Sequence, residues 1–233
     1  SLSSHEVALG YRENTPDPSI FVKFPVEPEW VGDRRPQSFT ILFPKGVSRD
    51  VPTFFLAWTT TPWTLPGNAA LAVAPDDDYA LVEIENEAGR ERLILARTLV
   101  EKVIREPGRV LNLFKGRDLV GLTYRPPFDA VQAGVTLQTF ALQQVGDVLT
   151  VLLQGAKTYL HRVIPAAFIT LNESSSQEGA GKEGTGIVHI APAFGDEDLN
   201  AGRENGLAFF QPVDLQGCVE GDFPGKGKFV KDA

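Results

Sequence analysis

One cysteine, Cys218, is all that the 233 residues contain. A lone thiol makes no disulfide framework and no cysteine cluster for zinc, so the sequence reads as a protein of a reducing compartment, the cytoplasm. No apolar run approaches the roughly 18 residues that cross a bilayer, and no cationic-plus-apolar signal segment opens the chain. A membrane is not an expected partner. Cations are outnumbered, with 22 Lys and Arg against 30 Asp and Glu and a net charge of −8. That balance excludes a general coat for nucleic acid, because affinity for phosphate backbones comes mostly from cations that displace counterions. Any RNA contact must be local. The three histidines, at positions 5, 161 and 189, are too scattered for a metal site on spacing grounds, and no metal is expected. There is no G-x-S-x-G elbow, and no H-E-x-x-H, because His5 is followed by Glu6, Val7, Ala8 and Leu9.

What the sequence does have is core and strand. Hydrophobic residues at 42% and charged residues at 22% suit a globular chain whose length allows one large domain or two small ones, and it is read as a single domain over 1–233. The runs VPTFFLAW, NAALAV, YALVEIEN, RERLILA, RVLNLF, GVTLQTFAL, DVLTVLL, AAFITLN and GIVHIAPA are short, rich in β-branched or aromatic residues, and punctuated by Gly, Pro, Asn or Asp. Each predicts a strand. Tyr79 to Ala96 reads as a hairpin turning at ENEAGRE. Two stretches predict helices: RTLVEKVIRE, with Leu99, Val100, Val103 and Ile104 on one face, and DEDLNAGRENG, with acids at its start and glycine at its end. The expected fold is β-rich α+β, a β-barrel core with a few peripheral helices. Asn172 to Gly186, polar and small, predicts a mobile loop. Its Gly179, Gly181 and Gly184 spell G-x-G-x-x-G, but a strand follows where a dinucleotide site needs a helix.

Two stretches concentrate polar groups against apolar strands. In LAWTTTPWTLPGN, Leu56 to Asn68, three threonines end an apolar run between Trp58 and Trp63. Thr61 precedes Pro62, which favours extended torsions there, and Pro66 and Gly67 turn the chain. Alternation sends some of Thr59, Thr60 and Thr61 inward and others outward, gathering hydroxyls and amides at a strand end. The plainer account is that β-branched threonines favour strands and that the tryptophans pack. In GTGIVHIAPAFGDEDL, Gly184 to Leu199, His189 interrupts an apolar strand, as a core ring or as the wall of a cavity. Asp196, Glu197 and Asp198 suit a helix start, and a carboxylate held there can stay ionised and receive a ligand ammonium.

Taken together, WTTTPWTLPGN and GTGIVHIAPAFGDEDL resemble the inserted editing domain of isoleucyl-tRNA synthetase, and SLSSHEVALGY with SIFVKFPV resembles the entry to that insertion. The valyl and leucyl versions usually read TTRP, so TTTPW favours the isoleucyl branch. HIGH-like and KMSKS-like signatures are missing, so the resemblance is to an excised domain that does not aminoacylate, and ATP would belong to the absent synthetic core. The segment 134–183 is longer than in compact bacterial members.

The resemblance implies proofreading: hydrolysis of valine from tRNA(Ile), or of valyl-adenylate, without a cofactor. An apolar pocket gains too little from one methylene to reject valine, a problem for which this enzyme family is itself the standing example. The implied partners are the acceptor end of tRNA(Ile) carrying valine, valyl-adenylate, and the rest of the parent synthetase. The resemblance assigns Asp198 to the substrate's α-ammonium, and Thr59, Thr60 and Thr61 to the terminal adenosine, the ester carbonyl and the attacking water. It gives Trp63, Thr64 and His189 to the pocket wall. Arg34, Arg35, Arg203, Lys226, Lys228 and Lys231 are the basic candidates for phosphate. The competing readings are a non-catalytic tRNA- or protein-binding β-module, and an editing domain with another amino-acid specificity.

Overall fold

The computed structural model describes residues 19–27, 42–87, 89–139, 160–169 and 184–232. Its largest unit grows from the hairpin that the sequence predicts. β4 (Asp78–Asn86) and β5 (Gly89–Ala96) pair from Tyr79↔Ala96 to Asn86↔Gly89, and Gly89 closes the turn at φ 111°, a torsion open to glycine. β2 (Thr53–Thr59) joins β5 in parallel, β1 (Ile20–Pro25) lies antiparallel on β2, and β6 (Gly108–Lys115) pairs with β4. The sheet order is β1-β2-β5-β4-β6.

Both faces of this sheet are covered, which explains why its central strands read as unbroken apolar runs. Phe55, Ala57, Tyr79, Leu81, Ile94 and Ala96 belong to the main core. The alternate residues Leu56, Ala80, Val82, Ile84, Leu93 and Leu95 form a second cluster with Val100 of α1 (Val100–Val103). That helix is far shorter than RTLVEKVIRE suggests. A 3₁₀ turn, Arg97–Leu99, precedes it, and Ile104 is already extended, ahead of Pro107, which lacks the N–H that a continuing helix would need.

A second sheet carries the site. β3 (Ala70–Val73) lies between β8 (Arg162–Pro165), to which it runs parallel, and β9 (Ile187–Ile190), to which it runs antiparallel. All of β3 is buried, and β9 packs against β2 of the first sheet. β7 (Leu137–Thr139) and β10 (Ala208–Phe210) form a small third sheet. α2 (Asp196–Glu204) follows β9, as the acid-rich start of DEDLNAGRENG predicts.

The result is a mixed, sheet-rich fold with few helices; a β-barrel core was expected, and the strands among the described residues pair in three sheets with no closed barrel among them. β1, β8 and β10 were not among the predicted strands. The run AAFITLN gives no strand over 166–169, because Pro165 ends β8 and the chain turns there. DVLTVLL, the end of GVTLQTFAL and the loop positions 172–183 lie outside the described residues, as do Gly179 and Gly181.

Candidate functional site

The strand that carries the threonines stops earlier than Pro62 alone would require. β2 ends at Thr59, Thr60 bends the chain, and Thr61 (φ −125°, ψ 63°) opens a 3₁₀ helix over Pro62–Gly67. Thr59 is buried while Thr60 and Thr61 are both exposed, because strict alternation stops where β2 ends at Thr59. Their polar atoms knit together. The Thr61 amide donates to Thr59 Oγ1 at 3.1 Å, and the two hydroxyls lie 3.3 Å apart. Thr64 Oγ1 donates to the Thr61 carbonyl at 2.7 Å and sits 3.4 Å from Thr61 Oγ1.

His189 reaches this cluster from β9, opposite Leu71 of β3. Its Nε2 lies 3.0 Å from Thr64 Oγ1, and its Nδ1 lies 2.8 Å from Asn68 Nδ2. Burial holds the ring's pKa down at about 4, with the contact at Thr64 opposing, so it is neutral at pH 7. Both ring nitrogens are therefore engaged and the ring is a poor base. Asn68 in turn donates to the Ala70 carbonyl at 3.1 Å and accepts the Tyr124 hydroxyl at 2.6 Å.

Asp198 stands in the first turn of α2. Gly195 caps that helix with extended torsions and no side-chain bond, and Asp198 Oδ2 accepts the Ala191 amide at 2.9 Å. Asp196 and Glu197 beside it are exposed, as helix-start acids are. The carboxyl does not behave as the helix start alone suggests. Burial raises its pKa to about 6, the Ala191 amide opposes that rise, and the Glu197 charge adds to it. Asp198 still ionises at neutral pH, at a cost that an arriving cation would relieve.

All seven sequence candidates, Thr59, Thr60, Thr61, Trp63, Thr64, His189 and Asp198, line one cavity of about 520 Å³. Gly184 supports its wall at φ 94°, where an added Cβ would lie 3.3 Å from the Trp58 ring. Of the basic candidates, Lys231 lies over one wall residue of this cavity, its Nζ 5.0 Å from the centre of the Trp63 ring. Lys226 instead lines a second hollow with Gln138, Gln211 and Glu220. Arg34 and Arg35 lie outside the described residues. No group of three or more His, Cys, Asp or Glu side chains among the described residues could hold a metal ion.

Two members of the site escaped the sequence reading. Asn68 closes the quoted threonine stretch, but there it reads as a turn residue. Tyr124 stands alone in GLTYRPP, and nothing local marks it.

No protein-family model matches the chain. Isoleucine–tRNA ligase of Dehalococcoides mccartyi strain CBDB1 is 39% identical over 234 residues, covering 100% of this chain and 20% of the ligase. The Pyrococcus horikoshii and Thermus thermophilus isoleucine–tRNA ligases are each 37% identical, again over 100% of the chain, which covers 18% and 17% of them. The chain therefore spans about one fifth of the length of the curated relatives it matches. Among solved structures, the P. falciparum cytosolic leucyl-tRNA synthetase editing domain aligns with TM-score 0.53 over 92% of both chains at 12% identity. GlLeuRS-CP1 aligns with TM-score 0.52 at 17% identity, over 78% of this chain and 58% of that one. No helix among the described residues is long and apolar enough to cross a membrane. The chain is thus homologous over its whole length to one segment of the isoleucine–tRNA ligases, with the fold of leucyl-tRNA synthetase editing domains.

Proposed function

We propose that this chain is the single editing domain of an isoleucine–tRNA ligase and hydrolyses valine from mischarged tRNA(Ile), acting in the cytoplasm without a metal or other cofactor. The observation that carries this reading is the convergence of the threonine cluster, His189 and the raised-pKa Asp198 on one cavity, in a chain homologous to isoleucine–tRNA ligases. The ionised Asp198 would take the α-ammonium of the amino acid, a charge-assisted contact that orients the ester. Hydroxyls and amides of Thr59, Thr60 and Thr61 would hold the ester carbonyl, the terminal adenosine and a water.

The water oxygen adds to the carbonyl carbon, the ester C–O bond breaks, and the proton ends on the released ribose hydroxyl. Valine and uncharged tRNA leave. None of the three threonines is a strong base, His189 is neutral with both nitrogens occupied, and Asp198 is committed to the ammonium. Rate enhancement would then come from positioning and from stabilising charge on an already activated ester. Valyl-adenylate offers the same ammonium and an even better leaving group. Trp63, carrying Lys231 on its face, would stack the terminal base and bring a cation near its phosphate.

The test is release of amino acid from Val-tRNA(Ile), Thr-tRNA and Ile-tRNA(Ile) by the purified chain. Rapid release from the valyl ester, with the isoleucyl ester spared, is expected. Preference for another ester would reassign the specificity. Binding of tRNA with no release from any ester would mark a non-catalytic module.

A further inference from the structure

Tyr124 is buried with its ring edge-on to Phe24, Phe55 and His161, at centroid distances of 5.3, 6.4 and 5.9 Å. Its backbone is tied on both sides: the Tyr124 amide donates to the His161 carbonyl at 3.0 Å, and Tyr124 bridges to Val26. So caged, the hydroxyl has one direction to point, into Asn68 Oδ1 at 2.6 Å.

That contact fixes which way the Asn68 amide lies. Asn68 Nδ2 faces the Ala70 carbonyl at 3.1 Å and His189 Nδ1 at 2.8 Å. A flipped amide would set one carbonyl oxygen against another and leave the phenol proton facing an NH₂ group. His189 Nδ1 is therefore an acceptor. A neutral imidazole carries a single N–H, so it sits on Nε2 and donates to Thr64 Oγ1 at 3.0 Å. Thr64 can then give its own proton to the Thr61 carbonyl at 2.7 Å and accept from Thr61 Oγ1 at 3.4 Å. The opposite tautomer would force Thr64 to donate to Nε2, release the Thr61 carbonyl and reverse the direction of the cluster.

We propose that Tyr124 is a positioning residue which, through Asn68, holds His189 as the Nε2–H tautomer and so sets the hydrogen-bond direction of Thr64 and Thr61 along the cavity wall. It touches no substrate. Its effect on turnover rests on the hydrolysis proposed above, whereas its effect on the ring does not.

The experiment labels the histidines with ¹⁵N and records long-range ¹⁵N–¹H spectra, which distinguish a protonated from a bare ring nitrogen, for the wild-type chain and Tyr124→Phe. Thermal melts and deacylation of Val-tRNA(Ile) accompany the spectra. The wild type should show a bare Nδ1 and a protonated Nε2. Tyr124→Phe keeps the packed ring, so it should populate the Nδ1–H form and lower kcat roughly tenfold, the scale of one buried hydrogen bond, with KM within about twofold. A protonated Nδ1 in the wild type overturns the proposal. So does a Tyr124→Phe protein whose melting temperature falls while ring tautomer and kcat stay as they were, for Tyr124 is then structural only. Should that variant not fold, Asn68→Asp presents an acceptor to the ring and should place a proton on Nδ1; a ring whose Nδ1 stays bare counts against the idea. A wild type that deacylates nothing defeats the proposed function, and the ring spectra then decide the positioning role alone.

Discussion

The β4–β5 hairpin and the β3–β9 pair are both buried, yet their polar groups end differently. In the hairpin, Arg92 is 3% exposed, and its Nε and Nη2 meet Glu83 Oε2 at 3.0 and 2.9 Å while Nη1 donates to the Ser48 carbonyl. The two residues face each other in the strand register, so charge opposes charge and the contact closes on itself. Along β9, the bonds from Tyr124 through Asn68 and His189 lead instead to threonines that open on a cavity. A closed polar pair supports the fold, whereas a chain with one end at a cavity positions groups for something else.

The largest effect that would sharpen this contrast is the loss of Asp198. In Asp198→Ala the ammonium anchor goes, and deacylation of Val-tRNA(Ile) should fall on the order of 100-fold with circular dichroism and melting little changed. An equally active variant would remove the anchor from the mechanism. Arg92→Ala should do the reverse. It leaves Glu83 half-buried with only Arg90, 4.0 Å away, as a partner, so urea unfolding should show a loss of about 2 kcal/mol while the folded protein keeps its turnover per site.

A smaller effect separates the two regions by pH. Because the folded pKa of Asp198 lies near 6, above its ordinary value of 3.8, the native state holds its proton more tightly than the unfolded chain does. Stability from this group is then full below about pH 4 and declines as pH rises through 6. Asp198→Asn, which can still accept the Ala191 amide, should be about 1 kcal/mol more stable than wild type at pH 7 and no more stable at pH 4, after allowance for partial exposure. Equal melting curves at both values would show that burial does not strain this carboxyl. Turnover by the wild type should fall as pH drops below about 6, where Asp198 protonates. The smallest effect belongs to Lys231→Ala. Loss of one exposed cation over Trp63 should raise KM for charged tRNA about two- to fivefold and flatten its dependence on salt, with kcat unchanged.

The residues that line the cavity were easier to single out in the sequence than the architecture around them. Thr59, Thr60, Thr61, Trp63, Thr64, His189 and Asp198 were legible because each breaks an apolar or turn pattern in its own neighbourhood. The same local rules placed the β4–β5 hairpin and α2. They failed at β8, where Arg162 and Pro165 flank only two buried apolar residues, and at α1, where packing between two clusters and the coming proline cut a longer apolar periodicity short. The raised pKa of Asp198 was not legible either, since helix-start chemistry favours the ionised form and it is chiefly burial, with the neighbouring Glu197 charge, that opposes it.

By itself, then, the sequence determined the strands of the hairpin, the acid-led helix, and two polar interruptions of apolar strands, because periodicity, turn chemistry and capping act over a few residues. Tertiary structure alone decided that these interruptions share a cavity and that Tyr124 and Asn68 govern His189. Those contacts join residues 56, 121 and 125 positions apart, brought together when β3 takes its place between β8 and β9. A hydrogen bond across such a span leaves no mark on local sequence. It forms because a buried donor or acceptor without a partner costs more than the ordering needed to supply one.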